Sequence, residues 1–312
     1  MSAEWQGELA RRLRGGNAVV KVNEPLCRHT SFRIGGPAAA WVEVGDTAAL
    51  ELVVRFCAEN RIALWVLGAG TNVLVSDQGL AGVVVRLGGQ LAAVRFEGDR
   101  VRAGAGALLA EIVAGAEEHG LVGVEFLAGI PGTVGGALRT NAGAFGHSLA
   151  DVVESVTALD RAGRLWTIER DGLRSEYRRP VIEASLIVLE VVLKLTPGRS
   201  QAAQEWCRQR RLKHPDEASA GSFFQNPKQE PAGSLIERCG LKGRSIGGAK
   251  VSEKHANFIV NTGTARFQDV YELSQLVKAV VEERTGIVLE EEVLILPGPA
   301  GGPALPDASA RR

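Results

Sequence analysis

The strongest hydrophobic period in the chain runs from Phe267 to Thr285. Val270, Leu273, Leu276, Val277, Val280 and Val281 recur there every three or four residues and predict an amphipathic helix. Gly286 stands just beyond, where a helix commonly ends in the left-handed region. The same spacing predicts helices over 4–13, with Trp5, Leu9 and Leu13 on one face, and over 47–60 behind an Asp46 N-cap. Further helices are expected over 108–119, 200–212 and 232–239. Short apolar runs bounded by turn residues predict strands over 41–44, 64–67, 83–87, 94–103, 152–159, 165–168, 186–195, 258–261 and 288–296. Strands outnumber helices, and the helices fall between groups of strands. That pattern predicts an α+β fold, not a doubly wound parallel sheet.

Thr196-Pro197-Gly198 interrupts the pattern. It divides the chain into an N-terminal helix within 1–16, a first domain over 17–197 and a smaller second domain over 198–297. Residues 298–312, rich in Pro, Gly and Ala, are expected to be a disordered tail. A length of 312 agrees with about two domains. Lys+Arg and Asp+Glu both count 36, and a net charge of zero argues against nucleic acid or an anionic membrane as partner. Apolar runs such as 186–193 are too short to span a bilayer, and residues 1–16 lack the apolar core of a secretory signal. Cys27, Cys57, Cys207 and Cys239 are scattered, without a CxxC or Cys/His cluster. They read as free thiols of a reducing, cytoplasmic compartment, and no metal site is expected.

Candidate chemistry starts with glycine. Gly129 to Gly146, GIPGTVGGALRTNAGAFG, is too glycine-rich to favour helix or strand, because each glycine loses the most backbone freedom on ordering. Such a segment is either an ordinary loop or one whose uncovered N–H groups cradle a phosphate or a flat ring. A second stretch, Gly68-Ala69-Gly70-Thr71-Asn72-Val73, comes after a short strand. A dinucleotide fingerprint needs a third glycine and a helix next, and here the chain continues into an extended Val73-Leu74-Val75.

Taken in order, these blocks resemble the UDP-N-acetylenolpyruvoylglucosamine reductase family over roughly 25–297. His29-Thr30-Ser31-Phe32-Arg33-Ile34-Gly35-Gly36 resembles its opening motif, Gly68 to Leu74 its pyrophosphate loop and Gly129 to Gly146 its main flavin loop. Gly221-Ser222-Phe223-Phe224-Gln225-Asn226-Pro227 resembles the catalytic-serine loop, and Leu289-Glu290-Glu291-Glu292-Val293 the terminal glutamate motif. Ala232 to Glu237 and Asn257 to Asn261 are further blocks. A co-linear set is far more specific than any one glycine pattern. The short connection between Arg210 and Gly221 has no room for a tyrosine-bearing insert, which is similar to the shorter, second type of this reductase. Departures from the family pattern are Thr140 for Met, Phe145 for Tyr, Gln225 for a basic residue and Leu294 for another.

The resemblance implies an FAD-binding domain of the vanillyl-alcohol-oxidase type and a smaller α+β substrate-binding domain. It implies FAD and NADPH as cofactors and UDP-N-acetylglucosamine enolpyruvate as substrate, reduced by a monomer. FAD-binding residues would be Gly68, Ala69, Gly70, Thr71, Asn72, Val73, Gly129, Pro131, Gly132, Thr133, Gly135, Gly136, Asn141 and Gly143. Ser222 matches the proton donor, Arg178 the arginine that stabilises charge on the substrate carboxylate, and Glu292 the glutamate that polarises the same group. Tyr177, Lys213 and Asn226 match positions near the UDP-sugar. Each has a plainer reading beside it. Serine after glycine is usually a turn residue, Arg179 competes with Arg178, and a run of three glutamates is usually a solvated face. Strand alternation would put Glu291 opposite Glu292. Arg210 is one of several charges on its helix, and His214 and His255 are left unassigned, since a lone histidine is more often structural. Another flavin oxidoreductase of the same superfamily, or a non-catalytic flavin or UDP-sugar binder, would have no reason to keep Ser222, Arg178 and Glu292 together.

Overall fold

Val83, Val84 and Val85 are fully buried at the centre of a four-stranded sheet, a β-branched run covered on both faces. The computed structural model describes residues 2–173 and 181–296. The sheet runs in the order Ala18–Pro25, Pro37–Val44, Leu80–Leu87, Leu64–Val66, the first pair antiparallel and the others parallel. Helices α1 (Ser2–Arg12) and α2 (Thr47–Asn60) pack beside it. The Asp46 side chain accepts from the Ala49 N–H at 2.8 Å, the expected N-cap.

A second, antiparallel sheet has five strands in the order Leu165–Glu169, Val153–Leu159, Ile187–Lys194, Arg100–Gly104, Val94–Glu97. Helices α3 (Leu109–Glu118) and α4 (Val134–Thr140) lie against it, and one buried apolar core joins both sheets. Helix α5 (Ala202–Lys213) also packs on this core, through Trp206 and the turn Glu125–Leu127.

The C-terminal unit is a small antiparallel sheet of Ala218–Ser219, Ile259–Asn261, Ala249–Val251 and Ser245–Ile246. Helices α6 (Ala232–Arg238) and α7 (Phe267–Thr285) pack with it, and α7 buries Val270, Leu273, Val277 and Val281 as its period predicts. This unit is not self-contained. Phe32, Ile34 and Leu74 belong to the same core as Phe223, Phe224, Leu289 and Val293. The last described strand, Leu294–Leu296, pairs in parallel with Val73–Val75 and so returns to the first glycine loop.

Several elements differ from expectation; the stretch expected as a strand over 94–103 is a hairpin of Val94–Glu97 and Arg100–Gly104. Ala18–Pro25 is a strand that no alternation announced, because it is an edge strand with Val19 and Val22 turned to solvent. The glycine-rich stretch contains α4. Its Thr133 hydroxyl accepts from the Gly136 N–H, and buried Val134, Ala137 and Leu138 supply packing that outweighs the glycine cost. The strand expected over 288–296 is confined to Leu294–Leu296. The residues before it bond singly to the Ser222 loop: Gln225 N–H donates to Glu290 O, and Glu292 N–H to Phe223 O. No helix among the described residues is long and apolar enough to cross a membrane.

Candidate active site

The strand Leu64–Val66 ends at the loop Gly68–Asn72, and two neighbours shape that loop. Ser31 N–H donates to Gly70 O at 3.0 Å, while the Ser31 hydroxyl reaches Ser219 O at 2.6 Å and lies 3.3 Å from Gly70 O. The Thr71 hydroxyl donates to Pro131 O at 3.0 Å, tying the first glycine loop to the second. A Cβ at Gly70, whose φ is +65°, would overlap the His29 carbonyl. Among the described residues the N–H groups of Ala69, Gly70, Thr71 and Asn72 donate to no protein oxygen. Consecutive uncommitted amides in a turn form an anion nest, and the loop suits the diphosphate of FAD.

That loop opens into a cleft of about 480 Å³. Of the residues expected to hold FAD, Gly68 to Val73, Gly129, Pro131, Gly132, Thr133, Gly136 and Gly143 line it. Gly135 and Asn141 do not. The Gly135 N–H donates to Ala105 O, and a side chain there would press on Ala105, so its hydrogen serves packing of α4 on the sheet. Asn141 ends α4 with φ +45°, and its Oδ1 accepts from Ala150 N–H at 3.0 Å.

Ser222 and Glu292 line the same cleft from the C-terminal unit. The next two residues hold Ser222 in place. Phe223 and Phe224 are buried, Phe223 N–H donates to Asn257 O at 2.7 Å, and Phe224 N–H donates to Asn257 Oδ1 at 3.0 Å. Asn257 Nδ2 donates back to Phe224 O at 2.8 Å. Glu292 is fixed at both ends of its peptide, its N–H on Phe223 O and its carbonyl accepting from Asn72 Nδ2 at 3.1 Å. The three glutamates separate by environment. Glu291 turns to Lys278, 2.9 Å away, and to Gln275. Burial, the largest single influence, would raise the Glu291 carboxyl, but the hydrogen bond and charge of Lys278 together with a backbone amide and Gln275 outweigh it, and the group lies below its usual range. Glu291 is thus a paired structural anion, and Glu292 is the glutamate in the cleft.

Two of the remaining expected residues, Asn226 and Lys213, do not line the cleft. Asn226 Oδ1 accepts from Ala232 N–H at 3.0 Å and caps α6. Lys213 is an exposed residue at the end of α5, outside the lining. Tyr177 and Arg178, with Arg179, lie outside the described residues. Ser31, Arg139, Thr140, Arg210, His214 and Phe258 line the cleft although no motif gave them a role. Ser31 stands inside the HTSFRIGG block and His214 directly after Lys213, so adjacency to a motif was the available signal. Asn257, in the NFIVN block, was signalled only by being an amide side chain among apolar neighbours.

Asn257→Ala leaves the Phe224 N–H and C=O without their partners, at about 1–3 kcal/mol for each group. It should lower the urea midpoint and also kcat, because the Ser222 loop loses its clamp. A stability loss with unchanged kcat would show that the clamp does not position Ser222.

His214 packs 4.9 Å from the Phe258 ring and edge-on to His255 at 5.8 Å. Burial first, then the charges of Arg210, His255, Lys254 and Lys213, push His214 down to about 4. It is neutral at pH 7. Between an unfolded value near 6.5 and the folded value the unfolded chain binds more protons, so His214 costs stability as pH falls through that window. His255 is lowered too, mainly by burial, and acts in the same direction. Thermal melts should therefore drop from pH 6.5 toward 4, with a shallower slope for His214→Asn; an unchanged slope would refute the assignment.

A cleft lined by two glycine loops of the larger α+β unit and by a serine and a glutamate of the smaller one is the arrangement of a two-part flavin oxidoreductase. Similar proteins specify which. A family model described as "FAD binding domain" matches residues 38–169, and one described as "UDP-N-acetylenolpyruvoylglucosamine reductase, C-terminal domain" matches 213–296. The UDP-N-acetylenolpyruvoylglucosamine reductase of Caldanaerobacter subterraneus subsp. tengcongensis is 43% identical over 281 residues, 88% of this chain and 93% of that protein. The enzyme of that name from Geotalea uraniireducens is 40% identical, over 95% of this chain and 99% of its own. The crystal structure of UDP-N-acetylenolpyruvylglucosamine reductase from Thermus caldophilus superposes with a TM-score of 0.77 at 35% identity, covering 90% of this chain and 99% of that one. The chain belongs to the UDP-N-acetylenolpyruvoylglucosamine reductase family, FAD- and NADPH-using oxidoreductases of peptidoglycan precursor synthesis.

Proposed function

We propose that this chain reduces the enolpyruvyl ether of UDP-N-acetylglucosamine enolpyruvate to the lactyl ether of UDP-N-acetylmuramate, with NADPH as reductant. FAD, held by the two glycine loops, would supply the redox chemistry between NADPH and the enolpyruvyl double bond. Hydride addition drives negative charge into the substrate carboxylate, so the protein must meet that charge and deliver one proton to the neighbouring carbon. Ser222 is the proton donor; a hydroxyl is a weak acid and works only if aimed at the reacting carbon, and the Asn257 bonds that fix the Phe224 backbone support such a role by holding the loop rigid. Glu292 polarises the carboxylate, and Arg178 holds it in a two-pronged grip. Lys213, exposed at the end of α5 outside the cleft lining, would offer a counter-charge to the diphosphate of the UDP-sugar. The enzyme acts as a cytoplasmic monomer on two small molecules.

One observation carries this reading. Ser222 and Glu292, 70 positions apart in sequence, line the cleft of both glycine loops and are joined by the bond from Glu292 N–H to Phe223 O. A flavin protein with another acceptor would need no such pair. The test is an anaerobic titration: NADPH should bleach the flavin, and the enolpyruvyl UDP-sugar should restore its colour. Bleaching without return would mean another acceptor, and failure to bleach would exclude NADPH.

A further inference from the structure

Arg139, in the last turn of α4, is a cation without a carboxylate. Its Nη1 donates to Glu183 O at 2.7 Å and its Nη2 to Leu186 O, both neutral carbonyls. Among the described residues no Asp or Glu pairs with it, and the other charge acting on it is a second cation, Arg161. Burial first, then Arg161, push its guanidinium down to about 10. Arg139 is half-buried, so its charge is partly withdrawn from water while its partners are neutral carbonyls. A guanidinium so placed on a cleft wall is suited to an anion bound there.

Its position names the anion. Arg139 lines the cleft beside Gly136, Ala137, Thr140 and Gly143. The other charged lining groups are Arg210 and Glu292; His214 is neutral at pH 7, and Leu294 adds nothing. We propose that Arg139 is the counter-cation of the bound FAD, pairing with an anionic part of the cofactor, either its diphosphate or its reduced ring. Helix geometry favours the ring. Thr133 lies against Gly68 at the diphosphate nest, and Arg139 is six residues further, ~9 Å along α4 at 1.5 Å per residue. In that role Arg139 sets how strongly the protein prefers reduced over oxidised flavin. This rests on the cofactor assignment alone and not on the substrate.

The test compares Arg139→Gln, which loses the charge and keeps an amide donor, with Arg139→Lys, which keeps the charge and loses the fork. Three quantities are read: the FAD dissociation constant of the full-length apoprotein, the midpoint potential of the holoprotein, and the melting point of the apoprotein. The ring arm expects Arg139→Gln to lose about tenfold in its preference for reduced flavin, which makes the potential ~30 mV more negative for a two-electron couple. The diphosphate arm expects about a tenfold weaker Kd for oxidised FAD with little change in potential, about 1.4 kcal/mol. Either result supports the proposal if Arg139→Lys stays close to wild type. An unchanged Kd and potential in Arg139→Gln, with a lower apoprotein melting point, would overturn it and leave Arg139 a tether to Glu183 and Leu186. A lysine variant as impaired as the glutamine one would overturn it as well. Should Arg139→Gln not fold, Arg139→Met repeats the measurement. Wild-type apoprotein that binds no FAD would refute the cofactor assignment itself, a result distinct from all of these.

Discussion

Replacing Ser222 by alanine leaves NADPH-driven bleaching of the flavin within about twofold of wild type, yet slows the return of colour on adding enolpyruvyl UDP-sugar by about 10²–10⁴, the range a lost general acid costs. The chemistry dictates the asymmetry. Flavin reduction by NADPH needs no proton from the cleft wall, whereas completing the substrate needs one at the carbon next to the hydride acceptor. The structure dictates it too. Ser222 contributes one hydroxyl to the cleft, and the backbone that aims it is held by Phe223, Phe224, Asn257 and Glu292, none of which the substitution touches. Removing the oxygen should spare the fold and the cofactor loops. Rapid mixing of each half-reaction separately checks this. Equal slowing of both would remove Ser222 from the proton-donor role and point to a general disturbance of the cleft.

The sequence was legible where a pattern had one physical meaning. The period of α7 and the N-cap at Asp46 carry their own structure, and the helix over 267–285 forms over those residues. That Glu292 and Glu291 face different surroundings was legible for a reason only partly right. Alternation along a strand predicts opposite faces, and the two side chains do part, but the backbone there is a bridge from Glu291 to Phe224 and not a ladder. What was illegible lay in tertiary contacts. The edge strand 18–25 has no buried face to read, and α4 forms against glycine's preference because packing and the Thr133 cap repay it. Gly135 and Asn141 sit in the flavin motif, yet one spaces α4 from the sheet and the other binds Ala150. A motif marks a stretch that must keep its shape, and some of its residues keep the shape without lining the cleft. Likewise the C-terminal unit shares a core with Phe32, Ile34 and Leu74, contacts that the Thr196-Pro197-Gly198 break in the pattern could not announce.

Gly70→Ala should yield a nearly colourless protein, with FAD affinity lowered at least about a hundredfold, ~2.7 kcal/mol. Two costs combine at this position. A φ of +65° puts an L side chain in the left-handed region, worth about 1–2 kcal/mol. The new Cβ would also overlap the His29 carbonyl and come within 2.9 Å of Thr30 Cα, backbone atoms that cannot swing aside as a side chain would. The loop must therefore shift, and with it the amides of Ala69, Thr71 and Asn72 that form the nest, the Thr71 link to Pro131, and the Asn72 link that holds Glu292. Gly98→Ala separates the two costs. Gly98 has nearly the same φ, +64°, with nothing within 4 Å of a would-be Cβ, and it lies outside the cleft. That variant should melt slightly lower and remain yellow. The absorbance of each purified protein near 450 nm relative to 280 nm, then FAD titration of the apoproteins, decides between them. A Gly70→Ala protein with wild-type colour and affinity would show that residues 68–72 are not the cofactor's cradle, and the diphosphate would have to be sought on the 129–143 loop.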